Sequence, residues 1–450
     1  MKSYCRAFVV FCLAALMLIV LCASAMATAQ WDGKLSDKNF AQEEFANWTV
    51  TTVYQSDDSV TGYNVSFRYY GPEETRVRVG GEWYFTEQYD SSVYTAGRVL
   101  PENWHDGLTF FTDDGYPAAR PFYDMVLDKK TGYWEYTLPL PSGTYCYQFL
   151  IGGKAEDDVN DVSNGRLTAD PSNRPIEMFE GRESYSQVYM PYDPVKQAHS
   201  RDYSLQAPRA DGQTGTISYF SVTSQALSEE RAVGIYLPYG YDPSLAGGYP
   251  VLYLLHGGAG YESNWFAQGV AGNILDTLIA EGTVKPMIVV TPMMRDANGT
   301  YADRTVEKDG KAVGSGLLFV VNDLMPYIEK NYNVSTEASG RACAGLSAGG
   351  RFTSALYYSY PQLFDYYGIW SSCIEVKDLD LDFSRNELQG KHIQLGGGLY
   401  DEKYYDLIVP MQKVLAENKI AFTTDYVWGG HRWNVWRDNF VDLCTRVLWK

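Results

Sequence analysis

"RACAGLSAGGRFTSALYYSYP", Arg341–Pro361, places a short apolar strand, a bend of small residues and a helix ending at a proline in one run. Its centre, Gly345-Leu346-Ser347-Ala348-Gly349, fits G-x-S-x-G. In a chain with 41 Gly the pentapeptide alone is weak, because a flexible glycine-rich bend reads the same way. The flanks decide between the two. A strand before the serine and a helix after it are the context in which a hydroxyl is held on a sharp, exposed turn. Small neighbours are required there, since a strained turn brings backbone against backbone. The helix that follows points its first amides at an incoming anion.

Working outward, "GTISYFSV" and "RAVGIYLP" read as paired strands, and "YPVLYLLHGG" and "KPMIVVTPMM" as apolar strands covered on both faces. "AGNILDTLIAEG" and "FVVNDLMPYIEKNY" have helical spacing. Strand–helix alternation of this kind predicts a doubly wound, mostly parallel α/β sheet. A serine there needs a base, and the order along such a chain is Ser, acid, His. Of the five histidines only His392 and His431 follow Ser347. His392 starts an apolar strand, whereas His431, in "YVWGGHRWNVWRD", follows the last strand on a glycine loop and is the expected base. The acid should follow the penultimate strand, where "HIQLGGGLYDE" supplies Asp401, with Glu402 as fallback and Asp406 further off. Oxyanion donors are expected from the amide of Ala348 and from "LLHGGAGYESNW", where Gly258 is preferred to Gly257.

The N-terminal half has another grammar. "NVSFRYYGP", "TRVRVGGEWYF" and "YWEYTLPLPSGTYCYQFLIGG" alternate apolar and polar residues between Pro/Gly turns, which predicts an all-β immunoglobulin-like sandwich over residues 30–190. Residues 191–213 are polar and aperiodic and read as a linker to a hydrolase domain at 214–450. Lys2 and Arg6, the apolar run Ala7–Ala23 and small residues at Ala25, Ala27 and Ala29 read as a secretory signal peptide over 1–29, so export is expected. The apolar run is also long enough for an uncleaved anchor, and a lipid anchor at Cys22 is disfavoured by the bulky Leu21.

A net charge of −18 argues against nucleic acid and anionic membranes as partners. Hydrophobic residues at 45% allow a sizeable core, and 37 Tyr and 11 Trp suit flat ligands, although packing accounts for most such rings. Outside the leader, Cys146, Cys343, Cys373 and Cys444 are too scattered for a disulfide framework and lack metal-ligand spacing, so buried thiols and no metal are expected.

Together, "LLHGGAGYESNW", "GTVKPMIVVTP", "LMPYIEKNYNVS", "AGLSAGGRF", "LFDYYGIWSS" and "GGHRWNVWRD" resemble the esterase D-like family, which includes the family-one carbohydrate esterases (feruloyl and acetylxylan esterases). That resemblance implies a cofactor-free α/β-hydrolase and places a triad on Ser347, Asp401 and His431, in agreement with the chemical argument. Trp370 departs from it, standing where the family often has smaller residues. The hairpin 133–153 and "DPSNRP", Asp170–Pro175, resemble an immunoglobulin-like carbohydrate-binding module of family 48. The pairing implies a secreted esterase acting on acylated xylan, feruloyl or acetyl. Trp265, Trp370 and Trp433 are then candidate substrate walls, and Trp83, Trp104 and Trp134 candidate sugar platforms. An enterochelin-type siderophore esterase, mycolyl-type transfer and a non-catalytic polysaccharide-binding surface protein are the competing readings.

Overall fold

A computed structural model describes residues 51–87, 99–110, 121–173, 185–296, 298–306, 314–376 and 381–450. The expected leader, 1–29, lies outside them. Two larger antiparallel sheets, with a two-stranded one of Phe85–Thr86 and Thr109–Phe110, form the N-terminal half. Strands Thr52–Gln55, Tyr63–Tyr70, Tyr133–Pro139 and Val126–Asp128 make one. The other is built on Gly143–Gly152, which pairs with Val77–Gly81, Gly165–Thr168 and Ser186–Met190. Val65, Phe67 and Tyr69 alternate inward from one sheet and meet Tyr147 and Phe149 of the other. The period of two in the sequence is therefore the packing of this core.

Strand Gly143–Gly152 departs from that period, because Gly143 to Ile151 are all buried. Tyr145, Tyr147 and Phe149 fill the sandwich, while Cys146 on the opposite face joins the core of the C-terminal half. A strand read as half-solvated is thus covered on both sides.

The C-terminal half carries an eight-stranded sheet. Its strands are β1 (Thr216–Ser224), β2 (Glu229–Leu237), β3 (Val251–Leu255), β4 (Ile288–Pro292), β5 (Arg341–Leu346), β6 (Tyr366–Trp370), β7 (His392–Gly398) and β8 (Thr423–Val427). The order is β1-β2-β4-β3-β5-β6-β7-β8. β2 pairs antiparallel with β1 and β4, and all pairs from β4 to β8 are parallel. The helices α1 (Ala271–Ala280), α2 (Met325–Asn331), α3 (Ala348–Ser359), α4 (Val409–Glu417) and α5 (Trp433–Asp442) accompany it. Two apolar clusters, one on each face, bury β3 to β6 completely. This is the α/β-hydrolase architecture.

The predicted linker, 191–213, lacks long elements yet is pinned. Gln197 and Gln206 are buried and accept hydrogen bonds from the amides of Ser142 and Thr144. Arg437 on α5 donates to the carbonyls of Gln268 and Thr144 at 2.8 Å each, joining the halves.

Candidate active site

Ser347 stands between β5 and α3 with φ 54 and ψ −119. For a non-glycine residue this conformation costs about 1–3 kcal/mol and persists only where the surroundings enforce it. Here its amide donates to the Trp370 carbonyl at 2.9 Å, and its carbonyl accepts from the Arg351 amide at 3.0 Å. The glycines make the turn feasible. A Cβ on Gly345 would lie 2.6 Å from the Gly349 carbonyl carbon, and one on Gly349 would lie 2.6 Å from the Leu255 oxygen.

The sheet register brings the other groups to the same end. Leu346 is opposite Trp370, Trp370 opposite Gly396, and Gly398 opposite Val427. Asp401 follows β7 by three residues and His431 follows β8 by four. The Asp401 carboxylate is fully buried, with Oδ2 2.8 Å from His431 Nδ1 and Oδ1 accepting from the Lys403 amide at 3.0 Å. A carboxylate facing Nδ1 puts the imidazole proton there and leaves Nε2 as the basic nitrogen. Glu402 is exposed and pairs with Lys403 instead.

Ser347 and His431 make no direct hydrogen bond, but their surroundings are joined through Trp436 and Ser371. The indole of Trp436 lies perpendicular to the His431 ring at 5.0 Å and donates from Nε1 to Ser371 Oγ at 3.0 Å. Ser371 follows Trp370, whose carbonyl holds Ser347. Catalytic hydrogen bonds often tighten only when substrate is bound.

The β3 loop lies against the elbow. A Cβ on Gly257 would lie 3.4 Å from Ser347 Cβ, and one on Gly258 3.8 Å from Ala348 Cβ. Neither the Gly258 nor the Ala348 amide has an acceptor among the described residues, which leaves both donors for an oxyanion. The loop shape is held by His256, which is buried. Its Nε2 accepts from the Met294 amide at 2.9 Å, so Nδ1 carries the proton and donates to the Gly257 carbonyl at 2.7 Å. Tyr301 donates to the His256 carbonyl at 2.9 Å. Sequence reasoning passed over His256, Tyr301, Ser371 and Trp436. Only His256, in the HGG triplet, carried a local signal.

The remaining histidines are engaged elsewhere. His105 pairs with Glu87, His199 with Asp106, and His392 stacks on Tyr366. The four cysteines among the described residues are buried, with no disulfide between them, and burial pushes the Cys343 thiol, on the strand that leads to the serine, up to about 12. Among the described residues no group of His, Cys, Asp or Glu could hold a metal ion, and no helix is long and apolar enough to cross a membrane.

The tryptophans are corrected. Trp265 and Trp370 are fully buried and Trp433 is 7% exposed. Trp265 packs edge-on against both others, while the Trp265 and Trp370 indoles donate to the Leu255 carbonyl and to Gln394. They form core beneath the site, not a substrate wall. Trp83, Trp104 and Trp134 are likewise buried in the sandwich core and offer no sugar platform.

Residues 224–446 match the profile of the family described as "Putative esterase". An endo-1,4-beta-xylanase/feruloyl esterase of Xylanibacter ruminicola is 36% identical over 176 residues, which are 38% of this chain and 24% of that protein. Endo-1,4-beta-xylanase Y of Acetivibrio thermocellus is 32% identical over 127 residues, 28% of this chain and 10% of that protein. The matched stretches thus span a quarter or less of those relatives. Among solved structures, the enterobactin esterase of Shigella flexneri aligns over 87% of this chain and 95% of its own, at TM-score 0.51 and 16% identity. At that identity the likeness is one of fold.

Proposed function

Because the chain belongs to this esterase family through residues 224–446, we propose that it is a serine carboxylic-ester hydrolase that removes acyl groups, feruloyl or acetyl, from xylan outside the cell. One observation carries the chemistry: a buried carboxylate 2.8 Å from an imidazole, on the loops beside a serine held at positive φ. The similarity to a xylanase/feruloyl esterase supports the substrate class, and the leader-like first 29 residues support export.

His431 Nε2 takes the Ser347 proton as Oγ attacks the ester carbonyl. The oxyanion is met by the Gly258 and Ala348 amides at the head of α3. Asp401 stabilises the imidazolium, which gives its proton to the departing sugar oxygen as the C–O bond breaks, releasing the sugar hydroxyl. Water, activated by the same imidazole, then releases the acid from the acyl-enzyme.

Ser347→Ala should lower turnover of p-nitrophenyl esters by at least roughly a thousandfold. Unchanged hydrolysis would exclude the elbow serine. Methyl ferulate, acetylated xylan and enterobactin assayed side by side decide the acyl group. Acetate release without ferulate release would overturn the feruloyl preference and keep the mechanism, while cleavage of enterobactin alone would move the substrate to siderophores.

A further inference from the structure

With these six tryptophans buried, partly open aromatic side chains, Phe110, Tyr203 and Trp428, gather where the two halves meet. A cleft of about 210 Å³ is lined by Thr109 and Phe110 from the sandwich, Arg201 and Tyr203 from the connecting stretch, and Trp428 and Asp438 from the esterase half. Phe110 and Tyr203 meet edge to face at 5.9 Å and form an apolar corner. Arg201 Nη1 donates to Asp438 Oδ2 at 2.6 Å, with the guanidinium half exposed and the carboxylate 7% exposed. Among the described residues Asp438 Oδ1 has no donor, and the half-exposed Arg201 guanidinium, which also lies over the Tyr203 ring at 5.2 Å, lines the cleft beside it.

We propose that this cleft is a saccharide subsite that takes one ring of the glycan carrying the ester. The proposal rests on the glycan-ester reading above. A sugar ring has an apolar C–H face and hydroxyls that both donate and accept; an aromatic corner beside an open carboxylate and guanidinium satisfies both. The volume, below the roughly 300 Å³ at which pockets for drug-sized ligands begin, suits a single ring.

The location fits the alcohol side of the ester. Trp428 follows the last residue of β8 and precedes His431 by three residues, at most about 11 Å of chain. Its indole stands 5.6 Å from Tyr400, the neighbour of Asp401. A saccharide whose ester carbonyl is presented to Ser347 extends along this end of the sheet toward the cleft, where the sandwich takes part through Thr109 and Phe110.

The test is calorimetric titration of xylohexaose into the Ser347→Ala chain, which cannot turn over an ester. Added to that background, Trp428→Ala and Asp438→Asn should each raise the Kd at least tenfold. Thr109→Phe, which fills the cleft from a half-buried position, should do the same and keeps the test decisive if Trp428→Ala fails to fold. Absence of binding in the parent, an unchanged Kd in the folded variants, or displacement of xylohexaose by free ferulate would each overturn the subsite. If the chain with Ser347 intact cleaves no ester at all, the proposed activity fails, while the titration still answers for the cleft.

Discussion

Asp401 is fully buried, and its two oxygens are committed to His431 Nδ1 and the Lys403 amide. In Asp401→Asn the amide keeps the shape and loses the charge that fixes the tautomer. Turnover should fall by roughly three to four orders of magnitude, read from initial rates on a p-nitrophenyl ester. Trp436 acts one step further out. Trp436→Phe removes the donor to Ser371 Oγ and shortens the wall behind the imidazole. A buried acceptor left unpaired costs about 1–3 kcal/mol, so a lower melting temperature and a several-fold fall in kcat with KM little changed are expected. A fall confined to melting temperature would make Trp436 structural only. The serine, histidine and aspartate were legible because each follows an element that its own sequence announces. Trp436 was not, since a tryptophan in a buried helix looks the same whether or not it backs a catalytic ring.

The elements depend on missing side chains. Gly349 lets α3 begin against the end of β3, and an added Cβ would meet the Leu255 and His256 carbonyl oxygens at 2.6 and 2.7 Å. Backbone cannot withdraw as a flexible side chain can. Gly349→Ala should therefore cost at least about 1–3 kcal/mol, visible as a lower denaturation midpoint, and should reduce activity further by shifting the oxyanion loop. A midpoint within error of the parent would show that the elbow can relax. Alternation and apolar runs identified strands such as Tyr63–Tyr70 and β3, because each pattern follows directly from which faces are covered. The same logic misread Gly143–Gly152, whose second face is covered by residues nearly three hundred positions away. The tryptophans were misassigned for a related reason: composition shows that rings exist, and only packing shows which of them reach solvent.

At the scale of the whole molecule, the seam between the halves is charged as well as apolar. Burial pushes the Asp438 carboxyl up to about 7, with Arg201 pulling it back and Asp425 pushing it further. An unfolded aspartate titrates near 4, so between about pH 4 and 7 the folded chain retains a proton that the unfolded chain releases. Stability should consequently fall as pH rises through that window and level off above it. In Asp438→Asn the decline in melting temperature from pH 5 to pH 8 should shrink by an amount equivalent to on the order of 1 kcal/mol; an identical slope in both proteins would place the effect elsewhere. Arg437, next along α5, holds the Thr144 and Gln268 carbonyls with one guanidinium. Separate expression of the segments on either side of Gly215 would strip that cation of half its acceptors and bare the Cys146 face. The esterase segment should then recover turnover only when its missing companion is mixed back in, which makes fragment complementation a direct assay of the seam.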